Sequence, residues 1–280
     1  LSFKDLYYFS SFMIRLASLL PASRKFLTTT DLVTVDRTRI SSLVSILEKQ
    51  FTLPAHEDFK HQPFVFYLLV DGMNFCFWHI EPKKKFNYHG YSGSVAFGYA
   101  ILHALSKNPE LFLSESLYRN PEGVLRTILS PTQGELLLQK ERIGIIKEIG
   151  KALKNGLESR LMEIEGGDVD KIANTLLTFL PYTFGDISVK SGVSLLFLKK
   201  LRLLISDLIA LRNYKAKNKA KLLIYADYKI RQLLMNAEVL TLSPRLQNII
   251  RREQIITRNS EAEVALRAGS VVASSYLQKI

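Results

Sequence analysis

Asp227 is the residue whose chemistry stands out most from its sequence surroundings. In the predicted helix LLIYADYKIRQLL it shares one face with Leu223, Ile230 and Leu234, because these residues recur at spacings of four, three and four. A carboxylate on an apolar face loses hydration, which costs several kcal/mol unless cations or hydrogen-bond donors compensate. Such an acid either has a structural partner, in an ion pair or at a neighbouring helix N-terminus, or it serves a chemical function.

A second group of charges lies in the apolar segment LLFLKKLRLLISDL. Helical spacing puts Leu195, Lys199, Arg202 and Ser206 on one face. A lysine and an arginine on that face are placed to bind an anion or a buried carboxylate such as Asp227. The alternative is that the lysine extends to the surface along its apolar stem, as is common on amphipathic helices.

Polar side chains also interrupt the aromatic-rich run FVFYLLVDGMNFCFW at residues 64–78. Asp71 and Asn74 lie in this run beside Phe75, Phe77 and Trp78. Aromatic faces next to a carboxylate and an amide are the components of a nucleobase pocket. Ordinary core packing, with the aspartate at a turn, is the simpler explanation of the same residues and is favoured for each residue taken alone.

Composition and charge place the chain among folded globular proteins. Hydrophobic residues make up 47% of the 280 residues and charged residues 23%, which argues against disorder or a coiled-coil array. The formal net charge of +12 favours anionic partners such as phosphates or nucleic acid. The same charge also fits a solvated surface that promotes solubility.

The sequence lacks the familiar cofactor and metal motifs. It has no glycine-rich phosphate loop, no Cys-x-x-Cys pair, no His-Glu-x-x-His and no Gly-x-Ser-x-Gly, so we expect neither a metal nor an organic cofactor. The single cysteine, Cys76, cannot form an intrachain disulfide, and a cytoplasmic location fits best. No run reaches the roughly 18 uncharged apolar residues that a membrane span needs, so we expect no membrane partner.

The hydrophobic pattern predicts a mainly α-helical protein, because apolar residues recur mostly three and four apart. Residues 64–78 fit either a strand or a deeply buried helix. We expect one compact helical domain over residues 1–280, with a small strand element near Phe64. The predicted helices are Arg37–Gln50, Ser94–Ser106, Glu135–Leu153, Val169–Leu180, Leu195–Arg212, Lys219–Asn236 and Ser260–Leu277, and the predicted loops include Pro181–Gly192.

Five strings of the sequence resemble, in the same order, those of the queuosine salvage protein family. They are DGMNFCFW at 71–78, YSG at 91–93, FLKKLRLLISDL at 197–208, YADYKIRQLL at 225–234 and SEAEVALRA at 260–268. The similarity is collinear from Val33 to Leu277 and adds little over residues 1–32, a predicted helical segment. The resemblance implies a fold similar to helix-hairpin-helix DNA glycosylases. It also implies a monomeric N-glycosidase that releases queuine, a 7-deazaguanine base, from queuosine 5′-phosphate for transfer RNA modification.

The resemblance also implies roles for individual residues. The family's catalytic carboxylate corresponds to Asp227, in agreement with the acid found on an apolar face. The lysine of its Phe-x-Lys motif corresponds to Lys199, which we expect either to keep Asp227 ionised or to hold the substrate's phosphate. We expect a small nucleotide substrate and no stable nucleic-acid partner. The other implied substrate-binding residues are Asp71, Asn74, Phe75, Trp78, Tyr228 and Lys229.

The sequence departs from the family pattern near two of these strings. The family's usual Ala-Asp-Tyr-Arg-Val-Pro is Ala-Asp-Tyr-Lys-Ile-Arg here, with Lys229 and Arg231 at the changed positions. The family's Glu-Val-Glu-Ile-Arg is Glu-Val-Ala-Leu-Arg, so Ala265 replaces a glutamate. The acid Asp227 is kept, whereas the loss of a proline and a glutamate raises the possibility of an altered substrate preference.

Two alternative functions fit parts of the sequence. Basic clusters at Lys83–Lys85, Lys215–Lys221 and Arg251–Arg252 are typical of a helical nucleic-acid-binding module. The implied fold also suggests a glycosylase that acts on a base within DNA or RNA. The scarcity of a glycine hairpin of the helix-hairpin-helix type argues against this last alternative.

Overall fold

The computed structural model describes residues 13–41, 43–44, 57–79, 81–222 and 227–277, and these are mainly α-helical with three small two-stranded sheets. The predicted fold class is thereby confirmed. The helices are α1 (Leu19–Leu27), α2 (Phe64–Gly72), α3 (Gly93–Lys107), α4 (Ser114–Arg119), α5 (Pro121–Leu129), α6 (Gln139–Lys154), α7 (Leu157–Glu163), α8 (Val169–Phe179), α9 (Pro181–Phe184), α10 (Lys199–Leu211), α11 (Tyr228–Asn236), α12 (Pro244–Arg251) and α13 (Glu261–Leu277). The strands are β1 (Val33–Val35), β2 (Asn87–Tyr88), β3 (Tyr91–Ser92), β4 (Ile187–Lys190), β5 (Val193–Leu196) and β6 (Leu240–Leu242).

The chain divides into two compact units, each built from separate stretches of sequence. The first comprises Leu1–Ile14, His56–Gly185 and Leu203–Lys217, and the second comprises Arg15–Ala55, Asp186–Arg202 and Asn218–Ile280. The expectation of one domain over residues 1–280 stays a prediction. None of the described helices has the length and apolar character needed to cross a membrane.

Helix α6 is the centre of the first unit. It contacts α2, α4, α5, α7 and α9, and it buries Ile145, Ile146 and Ile149. Helix α4 packs closely on α6 at Gly150, where a Cβ atom would lie 2.5 Å from the backbone nitrogen of Tyr118. Glycine at this position therefore lets the two helix backbones pack together.

The aromatic-rich run at residues 64–78 forms a buried helix followed by an irregular segment. Helix α2 ends at Gly72, and the chain continues without regular structure to residue 79. Phe77 leaves this segment to pack against Phe86 and Phe97, with ring centroids 6.2 and 5.7 Å away. Of the two interpretations of this run, the buried helix is correct for its first nine residues.

Helix α13 is the centre of the second unit. Every residue from Val264 to Ser275 is buried, and the helix contacts α1, α11, β1, β4 and β6. Strands β1 and β6 pair antiparallel beside it, with Val33 opposite Leu242. Small residues dominate the middle of α13, so its neighbours can approach from all sides.

The chain before α10 differs from the sequence-based prediction. Residues predicted as the start of a long helix form β5, which pairs with β4 across a tight turn at Ser191 and Gly192. Both turn residues have positive φ, 49° and 70°, the backbone that two-residue hairpins require. The predicted loop Pro181–Gly192 is therefore wrong, because it contains α9 and β4.

The remaining predicted helices agree with the structure to different extents. Ser94–Ser106, Val169–Leu180 and Ser260–Leu277 are confirmed to within a residue at each end, and Glu135–Leu153 begins four residues later, at Gln139. The predicted helix Lys219–Asn236 contains a 3₁₀ turn at Lys219–Lys221 followed by α11, and residues 223–226 between them lie outside the described residues.

The predicted helix Arg37–Gln50 begins with a 3₁₀ turn at Arg37–Arg39. Residues 42 and 45–50 of that prediction lie outside the described residues.

Replacement of Gly269 by alanine should destabilise the protein although alanine favours helix formation. A Cβ at this position would lie 2.7 Å from Val33 Cγ1, a methyl group on a short branched side chain that has little room to move. Overpacking of about 1–3 kcal/mol should exceed the gain of about 1 kcal/mol in helix propensity. Thermal unfolding should show the melting temperature of Gly269→Ala lowered by a few degrees.

The control for this prediction is the double variant Gly269→Ala with Val33→Ala. Removal of the Val33 methyl groups relieves the clash, so the double variant should lose less stability than the sum of the two single losses. Additive losses would show that the two residues do not compete for the same space.

Candidate active site

Asp227 lies at the start of α11 as its N-cap residue. Its backbone is extended, with φ −87° and ψ 154°, and its Oδ1 accepts a hydrogen bond of 2.9 Å from the backbone nitrogen of Lys229. The prediction that Asp227 occupies the apolar face of a continuous helix is wrong, because α11 begins one residue later. An aspartate at this position satisfies an end-of-helix N–H group and meets the positive end of the helix dipole.

Lys199 supplies the second contact to this acid. Its Nζ lies 3.0 Å from Asp227 Oδ2, and the two side chains are only 16% and 22% exposed. The expected contact between Lys199 and Asp227 is therefore present. Because the pair is largely shielded from water, its attraction is screened less than that of a surface ion pair.

An unusual backbone conformation places Lys199. Leu198, fully buried between β5 and α10, has φ 49°, which bulky residues rarely adopt. Its N–H donates to the carbonyl oxygen of Asp186 at 3.2 Å, and α10 begins at the next residue. This turn puts Lys199 at the first position of α10, on a backbone that neighbouring contacts must hold in place.

Arg202 is one residue that holds this region together. Its guanidinium donates to three backbone carbonyls, those of Phe197 at 3.2 Å, Lys221 at 2.8 Å and Leu16 at 2.7 Å. It thereby ties the start of α10 to the chain segment that leads toward Asp227. The expected shared face of Leu195 and Arg202 is wrong, because Leu195 lies in β5, and Arg202 binds carbonyl oxygens.

Arg267 on α13 fixes the same turn from another direction. Its guanidinium forms an ion pair with both oxygens of Asp186, and it lies 3.8 Å from the ring centroid of Phe197. Glu263 Oε1 is a further partner at 3.4 Å. Burial alone would raise the pKa of Asp186, but the charge and hydrogen bonds of Arg267 outweigh burial and lower it. This carboxyl is consequently ionised at neutral pH.

Arg231 completes the charged groups around Asp227. It lies four residues after the acid, and its backbone N–H donates to the Asp227 carbonyl oxygen at 3.1 Å. Its Nε is buried, and no described residue accepts a hydrogen bond from it. Burial lowers the pKa of Arg231 and the charge of Arg267 adds to that effect, while the charges of Glu263 and Asp227 oppose it.

The residues predicted to bind the base lie in the first unit. Asp71 is fully buried in the last turn of α2, and its carbonyl oxygen accepts from the backbone nitrogen of Asn74 at 3.2 Å. Asn74 and Phe75 are half-buried, whereas Trp78 is 52% exposed. The structure thus places Asp71 and Asn74 side by side, with Trp78 open to solvent.

Arg142, which the sequence analysis did not single out, organises this segment. It is fully buried on α6 and donates to the carbonyl oxygens of Met73 at 2.7 Å, Phe75 at 2.5 Å and Cys76 at 3.3 Å. Its guanidinium also lies 4.3 Å from the Phe75 ring centroid. The sequence carries a signal for it, since an arginine three residues before Ile145 falls on the apolar face of its helix.

A second acid accompanies Asp71. Asp207 on α10 interacts with the Asp71 carboxyl, and burial raises the pKa of Asp207 to about 6 although that interaction lowers it. Two carboxyls in one shielded place favour a state with one bound proton, because their negative charges repel. Asp207 is one of the charges in the apolar segment LLFLKKLRLLISDL, but spacing along that segment did not indicate Asp71 as its partner.

The predicted site residues therefore fall into two groups. Lys199 and Asp227 are in contact within the second unit, and Tyr228 and Lys229 follow them with exposed side chains. Asp71, Asn74, Phe75 and Trp78 belong to the first unit. The role of each residue stays a prediction.

Comparisons with known proteins give a consistent family. The sequence profile described as "Queuosine salvage protein" matches residues 54–280, well over half of the chain. A protein of Sphaerobacter thermophilus is 27% identical over 221 residues, which are 76% of this chain and 68% of that protein. A Dictyostelium discoideum protein is 26% identical over 210 residues, which are 73% and 62% of the two chains.

A mouse protein is similar to the same extent. It is 25% identical over 216 residues, which are 72% of this chain and 63% of that protein. All three relatives bear the name queuosine 5′-phosphate N-glycosylase/hydrolase. The chain spans about two thirds of the length of these relatives.

Substitution of Arg142 by methionine should destabilise the protein by roughly 2–4 kcal/mol. The variant keeps a long apolar stem but leaves the carbonyls of Met73, Phe75 and Cys76 without their donor, and buried acceptors without a partner are costly. Urea unfolding should show a lower midpoint for Arg142→Met. The same change at Arg126, exposed on α5, should leave the midpoint within experimental error.

Asp207 should make stability depend on pH. Its raised pKa means that the folded protein holds a proton that the unfolded chain has lost between about pH 4 and pH 6. The stabilisation from this group is thus complete below pH 4 and is lost as the pH rises through 6. The unfolding free energy of wild type relative to Asp207→Asn should fall by up to about 3 kcal/mol across this window.

Chemical denaturation at several pH values between 4 and 7 tests this expectation. Asp31→Asn, which changes an exposed acid, serves as the control and should leave the pH dependence unchanged. A parallel pH dependence in wild type and Asp207→Asn would contradict the assignment of a raised pKa to Asp207.

Proposed function

This chain belongs to the queuosine salvage protein family, and from that premise we propose that it hydrolyses the N-glycosidic bond of queuosine 5′-phosphate, releasing queuine and ribose 5-phosphate. The observation that supports this function most directly is the shielded Lys199–Asp227 pair at the start of α11. The family relationship favours this enzymatic function over a nucleic-acid-binding module. The released base would serve transfer RNA modification.

The chemistry of the leaving group determines what the enzyme must supply. Queuine is a 7-deazaguanine and has carbon where a purine has N7, so protonation at that position cannot assist its departure. The bond must therefore be weakened from the sugar side, where positive charge develops at the anomeric carbon as the bond breaks. A carboxylate close to that carbon stabilises the developing charge.

Asp227 is suited to this role because two contacts fix the orientation of its carboxylate. Oδ1 accepts from the Lys229 N–H and Oδ2 is bound by Lys199, so the carboxylate cannot rotate without the loss of a contact. Each carboxylate oxygen has a second lone pair, which can accept a hydrogen bond from water. Asp227 then orients a water molecule or removes its proton as that water attacks the anomeric carbon. The electron pair of the broken C–N bond leaves on the base nitrogen, which takes up one proton, so that water is divided between ribose 5-phosphate and queuine.

Lys199 serves as the cation that pairs with Asp227. Partial burial removes hydration from the carboxylate, and an ammonium group at 3.0 Å compensates for this loss. This short contact supports the first of the two roles expected for Lys199 over a role in holding the phosphate. Tyr228 is proposed to contact the ribose, and Lys229 to supply its backbone N–H to Asp227. The resemblance to the family implies base binding for Asp71, Asn74, Phe75 and Trp78 of the first unit.

We further propose that the protein acts on its small nucleotide substrate as a cytoplasmic monomer. The only cysteine, Cys76, is unpaired, as is usual in a reducing compartment. The proposed reaction breaks a single bond in a mononucleotide and requires no nucleic-acid partner.

Asp227→Asn is the sharpest test of the proposed mechanism. Asparagine caps helices about as well as aspartate, so the variant should fold normally while it loses the negative charge. We expect queuine release from queuosine 5′-phosphate to fall by roughly 100- to 10,000-fold, the usual range for a catalytic charge or general base. Lys199→Met should lower the rate by a smaller factor, because it removes only the cation that supports Asp227.

Asp168→Asn is a matched control, because Asp168 caps α8 by the same hydrogen bond to the second helical N–H. This variant should release queuine at the wild-type rate, measured by mass spectrometry of the free base. Wild-type activity in Asp227→Asn would rule out the proposed role of the carboxylate. Absence of queuine release by folded wild-type protein would rule out the proposed reaction.

A further inference from the structure

The first unit contains a small cavity that the proposed reaction does not use. Its volume is about 130 Å³, and all of its lining residues belong to that unit. The buried part of the lining is apolar and consists of Phe64, Leu161 and Leu208, each at most 3% exposed. Since a cavity of about 150 Å³ holds one benzene molecule, this space fits a ligand with roughly four or five carbon atoms.

Two glutamates make the polar part of the lining negative. Glu158 Oε1 is bound by Arg212 at 3.0 Å, and Glu165 Oε1 accepts from the backbone nitrogen of Lys215 at 3.0 Å. The second oxygen of each glutamate accepts no hydrogen bond from a described residue. Two carboxylates and one guanidinium give the lining a net charge of −1, although the chain as a whole carries +12. The cavity is therefore suited to a cation.

The groups beside Glu165 do not neutralise its charge. The guanidinium of Arg212 pairs with Glu158 and lies 5.4 Å from the ring centroid of Phe64. The hydroxyl of Tyr214 donates to the carbonyl oxygen of Leu161, and burial together with the charge of Glu165 raises the pKa of Tyr214 to about 12. Tyr214 is consequently neutral at physiological pH.

From this cavity we propose that the first unit binds a small organic cation, a primary ammonium group on an aliphatic chain of about four carbons. The chain contacts the buried apolar lining, and the ammonium group donates to the open oxygens of Glu158 and Glu165. An ammonium group has three N–H donors and no acceptor, which matches a lining that offers carboxylate oxygens. The Lys199–Asp227 pair belongs to the second unit, so the cavity shares no residue with it.

Methionine methyl NMR provides a local measurement, because Met162 lines the cavity and is 59% exposed. The probe is n-butylammonium chloride, with sodium chloride at equal concentration as the control for ionic strength. The Met162 signal, assigned with Met162→Leu, should shift saturably, with a dissociation constant of roughly 1 mM for so small a ligand. The signals of Met13, Met73 and Met235 should not move.

Matched variants test the contact with the carboxylate. Glu165→Gln keeps the shape of the side chain but removes its charge, so n-butylammonium should bind roughly tenfold more weakly, the effect of a lost hydrogen bond to a charged group. Glu163→Gln is the control, because Glu163 pairs with Arg160 and does not line the cavity. It should leave the dissociation constant unchanged, and circular dichroism should show both variants folded.

A neutral ligand tests the selection for charge. n-Butanol, which carries a hydroxyl in place of the ammonium group, should bind roughly tenfold more weakly than n-butylammonium. Equal binding of the two ligands, equal binding by wild type and Glu165→Gln, or no saturable shift of Met162 would overturn the proposed site. None of these measurements depends on queuine release, so they test the cavity separately from the proposed reaction.

Discussion

The proposed chemistry depends on keeping one carboxylate ionised and oriented where water is partly excluded. Asp227 meets this requirement through two donors of different kinds, a backbone N–H at the start of α11 and the ammonium group of Lys199. The backbone donor fixes the direction of the carboxylate, and the lysine supplies the compensating charge. Together the two contacts hold the carboxylate in one orientation, and preorganised groups of this kind stabilise developing charge effectively.

Buried arginines stabilise the backbone that positions Lys199 next to Asp227. Arg202 binds three carbonyl oxygens and Arg267 binds the Asp186 carboxylate, and together they fix the turn that precedes Lys199. Arg142 does the same in the first unit for the segment after Asp71. A guanidinium has five N–H donors in a rigid plane, so one side chain can satisfy several carbonyls of an irregular segment. Irregular loops with precise geometry are thereby stabilised without regular secondary structure.

The sequence was sufficient to predict the fold class and the pairing of Lys199 with Asp227, but not the local geometry of either residue. Helical periodicity extended both elements too far, because Leu195 and Leu196 are as apolar as the helix that follows and nothing in the spacing marks the turn at Leu198. The sequence drew attention to Asp227 because helical spacing put it on an apolar helix face. In the structure Asp227 is instead the N-cap residue just before α11. Its side chain is shielded nonetheless, so the conclusion about its hydration was correct for a different structural reason.

Long-range partners were beyond the reach of sequence patterns. Contacts such as Arg142 with Met73 join residues 69 positions apart, and spacing along one helix carries no information about them. Arg231 was visible only as a departure from the family pattern, at a position where proline is usual. The burial of its Nε became apparent only in the structure.

Two departures from the family pattern, at Arg231 and Ala265, both make the region around α11 and α13 more positively charged. Helices α11 and α13 pack on each other, and each carries one of the two charge-changing positions. Arg231 adds a positive charge on α11, and Ala265, fully buried on α13, stands where a glutamate is usual. Burial lowers the pKa of Arg231, and the charges of Glu263 and Asp227 oppose that effect. Acids that pair with other cations, Glu263 with Arg267 and Asp227 with Lys199, therefore also offset part of the cost of a charge at this position.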